Sequence, residues 1–137
     1  VTGAVIVTDE RVARFVSDEL GCGLCPPYTC MGVEKDGEII GGVIFNVFEG
    51  KDIHVTVAGT GWDRKFLIAV GEYVFWQLGC NRMTITTNQD RVVNMAVKMG
   101  GEIEGRLRKY YPDGREAIIV GILAEDYKPF RWLKTKH

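Results

Sequence analysis

Histidine and cysteine are sparse in this chain of 137 residues: two histidines, His54 and His137, and four cysteines, Cys22, Cys25, Cys30 and Cys80. A structural zinc site wants two close ligand pairs, and Cys22-x-x-Cys25 has no second pair to complete it. A thioredoxin-type Cys-x-x-Cys opens a helix after a strand, whereas this one runs into Pro26-Pro27. The cysteines are therefore expected to be free thiols, with no metal bound. Charge of one sign is also lacking. Seventeen basic against 18 acidic residues leave −1, which provides no global field for general nucleic-acid binding but leaves room for a local basic patch. No apolar run reaches membrane-spanning length; Ile39 to Phe48 is too short and holds Gly41, Gly42 and Asn46. Val1-Thr2-Gly3-Ala4 has no positive n-region, so no secretory signal is visible. A cytoplasmic location without a membrane partner is expected.

What is present is an ordinary globular composition, 46% hydrophobic and 26% charged, enough for one domain over 1–137 with a core of its own. The chain is organised around Asp52 to Gly79. Ile53, Val55 and Val57 alternate with His54, Thr56 and Ala58, the period of a strand with two different faces. Gly59-Thr60-Gly61-Trp62-Asp63-Arg64-Lys65 follows, and from Phe66 onward Leu67, Val70, Val74 and Leu78 recur at helical spacing up to Gly79. A strand that passes through a glycine loop into a helix N-terminus is a ready anion site. The first turn's free N–H groups converge there, the helix dipole is positive, and glycine lets a ligand approach the main chain. Arg64 and Lys65 add charge, so a phosphate-bearing ligand is expected. The loop is neither a full G-x-x-x-x-G-K-[ST] nor a G-x-G-x-x-G.

The flanking pattern predicts a strand over Gly3–Thr8 and a helix capped by Thr8-Asp9-Glu10, with an apolar stripe of Val12, Phe15, Val16 and Leu20 that ends at Gly21. Gly21 to Tyr28 reads as an irregular loop suited to shaping a binding site, which makes Tyr28 a candidate substrate contact. Asp36-Gly37 is a type I′ hairpin signal between strands Thr29–Lys35 and Glu38–Phe48. The second of these is apolar on both faces, as a covered central strand would be, and its Gly41-Gly42 suggests a bulge or a close backbone approach. Beyond Gly79 come a strand at Arg82–Thr87 and a helix capped at Asn88-Gln89-Asp90 with the stripe Val92, Met95, Ala96 and Met99. A last hairpin, Glu102–Tyr111 with Arg115–Leu123, turns about Pro112-Asp113-Gly114. Residues 126–137 form a tail with Trp132. The order is β-α-β-β-β-α-β-α-β-β.

With that order, the glycine loop after the fourth strand and the run Lys98-Met99-Gly100-Gly101, Glu104-Gly105-Arg106-Leu107-Arg108 and Asp113-Gly114-Arg115, the chain resembles the GNAT acetyltransferases. It is most similar to the branch of ribosomal-protein N-acetyltransferases and small phage or bacterial members. The resemblance covers about residues 38 to 125 well and the first 30 loosely. It implies a mixed α/β (α+β) fold: a mostly antiparallel sheet of about six to seven strands, flanked by helices, with a splay between strands 4 and 5. It also implies acetyl-CoA, with the pantetheine arm on the main chain of Thr56, Val57 and Ala58. The pyrophosphate would lie over Gly59, Thr60, Gly61, Trp62, Arg64 and Lys65, and Asn88 or Asn94 would be the asparagine of the next helix. Asp63 is compatible with a phosphate there only if it caps its own helix. The tyrosine that many members use as general acid would align near Ala96, so that role has no holder.

The implied reaction is direct attack by an amine on the thioester in a ternary complex, which needs a base, support for the oxyanion and close orientation. Backbone N–H groups at the splayed strand could supply the oxyanion support. His54, with an intrinsic pKa near neutrality, is the foremost candidate base, although a strand histidine satisfied by a neighbour is an equally good reading. Glu49 is a second candidate, weighed against the ordinary solvation of a carboxylate beside a turn. Tyr110 and Tyr111 flank the last hairpin turn, where members of the family build the acceptor site, though cross-strand packing would account for them too. The partner would be a small-molecule or protein amine; exposed apolar residues on the last hairpin would accommodate a homodimer. Two other readings stand beside the enzyme: a GNAT-like binding or regulatory module without activity, and a GNAT-fold enzyme that modifies nucleic-acid bases, against which the neutral net charge counts.

Overall fold

Residues 3–134 are described by the computed structural model; the start of the chain and the end of the tail, including His137, lie outside the described residues. Strand β1 (Ala4–Val7) leads into α1 (Glu10–Leu20), whose N-terminus is capped by the Asp9 carboxylate accepting from Arg11 N. Gly21, at φ 67°, ends the helix and donates to Ser17 O. Then come β2 (Tyr28–Lys35), β3 (Glu38–Glu49) and β4 (Asp52–Gly59). Asp36 and Gly37 take φ of 53° and 82°, the two positive values that a type I′ turn requires. Helix α2 (Arg64–Gly71), β5 (Arg82–Thr87), α3 (Asp90–Lys98), β6 (Glu102–Leu107) and β7 (Ala117–Leu123) complete the sheet and its cover.

Seven strands hydrogen-bond in the order β1-β2-β3-β4-β5-β7-β6, and every pair is antiparallel except β4 with β5. The expected mixed, mostly antiparallel sheet is thus what forms. Both of its faces are covered. Val43, Phe45, Val55 and Val57 meet Phe66, Val70, Val92 and Ala96 from α2 and α3 on one side. On the other, Ile44 and Ala58 meet Val12, Ala13 and Val16 of α1. This is why β3 reads as apolar on alternate and on consecutive positions alike. Phe48, counted in that pattern, is half exposed. The register slips by one residue between Asn46 and Glu49, and Val47 adopts φ 50°, a strained value for a β-branched residue.

The single long helix expected from Phe66 to Leu78 begins at Arg64 and changes character midway. The Tyr127 ring packs where a Cβ on Gly71 would lie, and the Tyr127 hydroxyl donates to Leu67 O at 2.6 Å. Just beyond, Glu72–Gln77 winds as a π-helix. Beyond β7 the chain forms short helical turns, Ala124–Asp126, Lys128–Phe130 and Arg131–Lys134. The last hairpin is shorter than its sequence pattern. Tyr110 N and Tyr111 N both donate to Arg115 O, and Lys109 turns at φ 54°, so neither tyrosine belongs to β6. No helix among the described residues is long and apolar enough to cross a membrane.

Candidate functional site

The parallel pairing of β4 with β5 runs from Asp52–Arg82 to Val55–Ile85 and stops there, although β4 continues to Gly59 and β5 to Thr87. Among the described residues, β4 past that point keeps only β3 as a strand partner, and β5 only β7. Two strands that diverge in mid-sheet leave main-chain groups without a ladder, and such groups must find other partners. One of them is visible: Val57 O accepts from the Gln89 side-chain amide, Nε2, at 2.9 Å.

A cleft of about 300 Å³ opens at the splay. Its floor is Ala58 and Gly59 of β4, with Asn88 and Gln89 beyond β5. Glu19 to Gly21 at the end of α1 form one wall; Tyr111, Pro112, Asp113 and Arg115 of the last hairpin form the other. The Asp113 carboxylate is taken up by Arg115, which donates from its backbone N and from Nε at 2.6 Å and holds that carboxyl below its ordinary range. Burial, with the neighbouring Tyr110, raises the Tyr111 phenol above its ordinary pKa. The cleft therefore offers a neutral phenol and the carboxylate of Glu19.

Above the cleft the chain turns tightly into α2. A Cβ on Gly41 would overlap the Thr60 carbonyl oxygen, and one on Gly59 the Ile40 carbonyl oxygen, so the loop lies directly on β3. Gly41 thus marks a close backbone approach and lies beside a one-residue bulge of β3 against β2 at Val33/Glu34, so both expectations are met there, while Gly42 makes room for the Val12 and Val16 side chains of α1. Gly61 adopts φ 91°. Asp63 caps α2, its Oδ1 accepting from Phe66 N at 2.9 Å, and Leu67 N makes the first helical bond to Asp63 O. The Arg64 and Lys65 N–H groups precede that first intrahelical bond. The Arg64 guanidinium lies over the Trp132 ring and that of Arg91, at the start of α3, over the Trp62 ring, each 5.3 Å from the ring centre. Charge compatible with a phosphate is therefore gathered at one helix end, with Arg91 a contributor that sequence spacing does not disclose.

The sequence candidates do not all meet. Ala58, Gly59, Asn88 and Tyr111 line the cleft, and Thr60, Gly61, Trp62, Arg64 and Lys65 form the loop at its end. Thr56 lies between Ala58 and His54 on the face that α1 shares. His54 is four residues before Ala58, roughly 13 Å along the strand at ~3.3 Å per residue; its Nε2 lies 3.6 Å from Asp52 Oδ2 and its side chain is 42% exposed. Glu49 and Tyr28 border a second, more apolar cleft of about 660 Å³ at the other end of β4, floored by Phe45 and Ile53. The Tyr28 hydroxyl donates to the Glu10 carboxylate. Asn94 is exposed on α3, and Tyr110 is 52% exposed, edge-on to Tyr111. Glu19 and Gln89 are cleft residues that sequence pattern does not single out as site residues, and Arg115 of the Asp113-Gly114-Arg115 run joins them there. Gln89 reads in sequence only as part of a helix cap. Its cap position is real, but the capping oxygen is Thr87 Oγ1, which accepts from Gln89 N. The four cysteines are free thiols.

No family model and no curated protein matches the chain. Solved structures do. Spermidine/spermine N-acetyltransferase SpeG from Vibrio cholerae, in complex with manganese ions, is similar over 99% of this chain and 98% of its own at 13% identity and a TM-score of 0.71. The spermidine N-acetyltransferase from the same organism in complex with CoA and spermine is similar over 93% of this chain and 99% of its own, at 13% identity and a TM-score of 0.68. A dodecameric structure of that enzyme, at 14% identity, covers 91% of this chain and 96% of its own with a TM-score of 0.69. Likeness across nearly the whole of both chains, at an identity this low, is a likeness of fold, and the fold of this chain is that of the GNAT acetyltransferases.

Proposed function

We propose that this protein is an acetyl-CoA-dependent N-acetyltransferase that acts on a primary amine. The observation that carries the reading is the parting of β4 and β5 beyond Val55–Ile85, which opens onto a cleft with the glycine loop and the start of α2 at its end. The residues present suit the ligand. The close approach at Gly41, the positive φ of Gly61, the capped Asp63 and the bases Arg64, Lys65 and Arg91 fit a phosphate, and Val57 fits an amide-bearing arm. Acetyl-CoA supplies an acetyl group activated as a thioester.

The chain's own groups divide the remaining work. The Glu19 carboxylate, facing the cleft from the end of α1, holds a cationic acceptor and takes its proton. Tyr111, kept protonated by burial and set edge-on against Tyr110, gives a proton to the departing thiolate. Glu19 thus takes the place of His54 and Glu49 as the foremost base, because it lines the cleft and they do not, and Tyr111 takes the acid role that the resemblance leaves without a holder. The neighbour bound to CoA and spermine makes polyamines the first acceptors to try, followed by protein amines. Ile103, Leu107 and Leu123 are exposed on the last two strands, where a homodimer would cover them. A cytoplasmic location accords with this chemistry.

A thiol-release assay with acetyl-CoA and a panel of polyamines, aminoglycosides and peptide amines tests the reading. Acceptor-dependent release supports it. Saturable CoA binding without release from any amine would favour the binding module, a reading to which the alanine at position 96 lends weight.

A further inference from the structure

Val57 O lies just beyond the last β4–β5 pair, and it is held by the side chain of Gln89, 32 residues away. The rest of Gln89 has separate tasks. Its N–H donates to Thr87 Oγ1 at 3.0 Å, and its C=O accepts from Val92 N and Val93 N at 3.0 and 3.1 Å. The main chain of Gln89 and the Thr87 hydroxyl thus start α3, and the carboxamide contributes nothing to that helix end. A second observation lies in the loop that follows β4: Trp62 Nε1 is buried without an acceptor among the described residues. A strand acceptor covered by a side chain from elsewhere in the chain is what an amide N–H of a ligand would take over.

We propose that the Gln89 carboxamide stands in for an amide of the pantetheine arm, closing the splay until an amide-bearing ligand displaces it, and so decides which ligands enter. This rests on the acyl-CoA reading above. An amide N–H of the ligand replaces the Gln89 N–H on Val57 O, so the hydrogen bond lost is regained. A ligand with only the nucleotide part reaches the loop at α2 and leaves the carboxamide in place.

The test is calorimetric titration of the native chain, Gln89→Ala and Gln89→Glu with acetyl-CoA and with 3′-phosphoadenosine 5′-diphosphate, which lacks the arm. Gln89→Glu keeps the side chain's shape but has no donor when ionised; thermal melts establish that each variant is folded. Removal of the competing bond is expected to tighten acetyl-CoA about 2- to 10-fold, the range of one net hydrogen bond, with the nucleotide unchanged. In the native chain the Gln89 side-chain NH₂ resonances should shift with acetyl-CoA and not with the nucleotide. Equal or weaker acetyl-CoA binding by the variants would overturn the proposal and leave the cofactor reading intact. Absence of acetyl-CoA binding by all three proteins would overturn the cofactor reading and this proposal with it.

Discussion

The Arg91 guanidinium sits 5.3 Å from the centre of the Trp62 ring and so joins the loop that follows β4 to the helix that follows β5. The two strands separate below it, and the contact spans the gap from above. A cation over an indole contributes about 0.5–1 kcal/mol at an exposed site.

Arg91→Ala should therefore lower stability by no more than about 1 kcal/mol while admitting water to Trp62. Tryptophan emission is expected to shift to the red, and acetyl-CoA affinity to fall several-fold with a weaker dependence on salt. An unchanged emission maximum would show that Trp62 is held without Arg91.

The glycine loop separates two kinds of damage. Gly61→Val places a β-branched residue at φ 91° against the flexible Ile40 side chain, which should cost about 1–2 kcal/mol and weaken CoA binding in a chain that still folds. Gly41→Ala drives a methyl group into the Thr60 carbonyl, a backbone atom with nowhere to retreat. Its loss of stability in a urea melt should be the larger of the two; equal melts for Gly41→Ala and the native chain would contradict the close approach.

The glycines at 41 and 42 were legible in sequence because glycine weakens a strand interior, so a pair of them inside an apolar strand marks a bulge or a crowded backbone. The Asp36-Gly37 turn and the alternation from Ile53 to Ala58 were legible for the same local reason: turn chemistry and period 2 need no knowledge of distant residues. What was illegible depends on the distant residues. Gln89 reads as a cap until Val57 O is placed beside it, and Glu19 as a solvated helix end until the last hairpin is placed across the cleft from it. The π-helical turn at Glu72–Gln77 follows the insertion of Tyr127, more than fifty residues later in the chain, against Gly71. His54 draws attention through its rarity, and rarity carries no information about position.

The acid–base assignment makes a prediction by contrast. Tyr111→Phe and Glu19→Gln should each lower kcat by roughly 10²-fold or more while acetyl-CoA still binds; His54→Ala should change kcat by less than either. A larger loss in His54→Ala, with its pH–rate profile flattened, would return the base to β4.

Stability should depend on pH at both extremes. The side-chain hydrogen bond from Arg11 holds Asp9, the cap of α1, down at about 2 from 3.8. A lowered carboxyl contributes stability that is present above its ordinary pKa and lost as pH falls through 4 towards 2. Burial raises the phenols of Tyr111 and Tyr127 above 10, so their contribution is intact below pH 10 and lost as pH rises beyond it. Thermal melts across pH should show both declines, the acid one shallower in Asp9→Asn; an acid limb identical in that variant would remove the cap from the account.

The central claim is that the parted ends of β4 and β5 receive acetyl-CoA, and residue-resolved NMR during an acetyl-CoA titration tests it most directly. The account predicts saturable shifts, competed by CoA, at the amides of Thr56 to Lys65 and at Asn88, Gln89 and Arg91. Shifts confined to Val47, Phe48 and Tyr73 around the second cleft, or none at millimolar ligand, would contradict it.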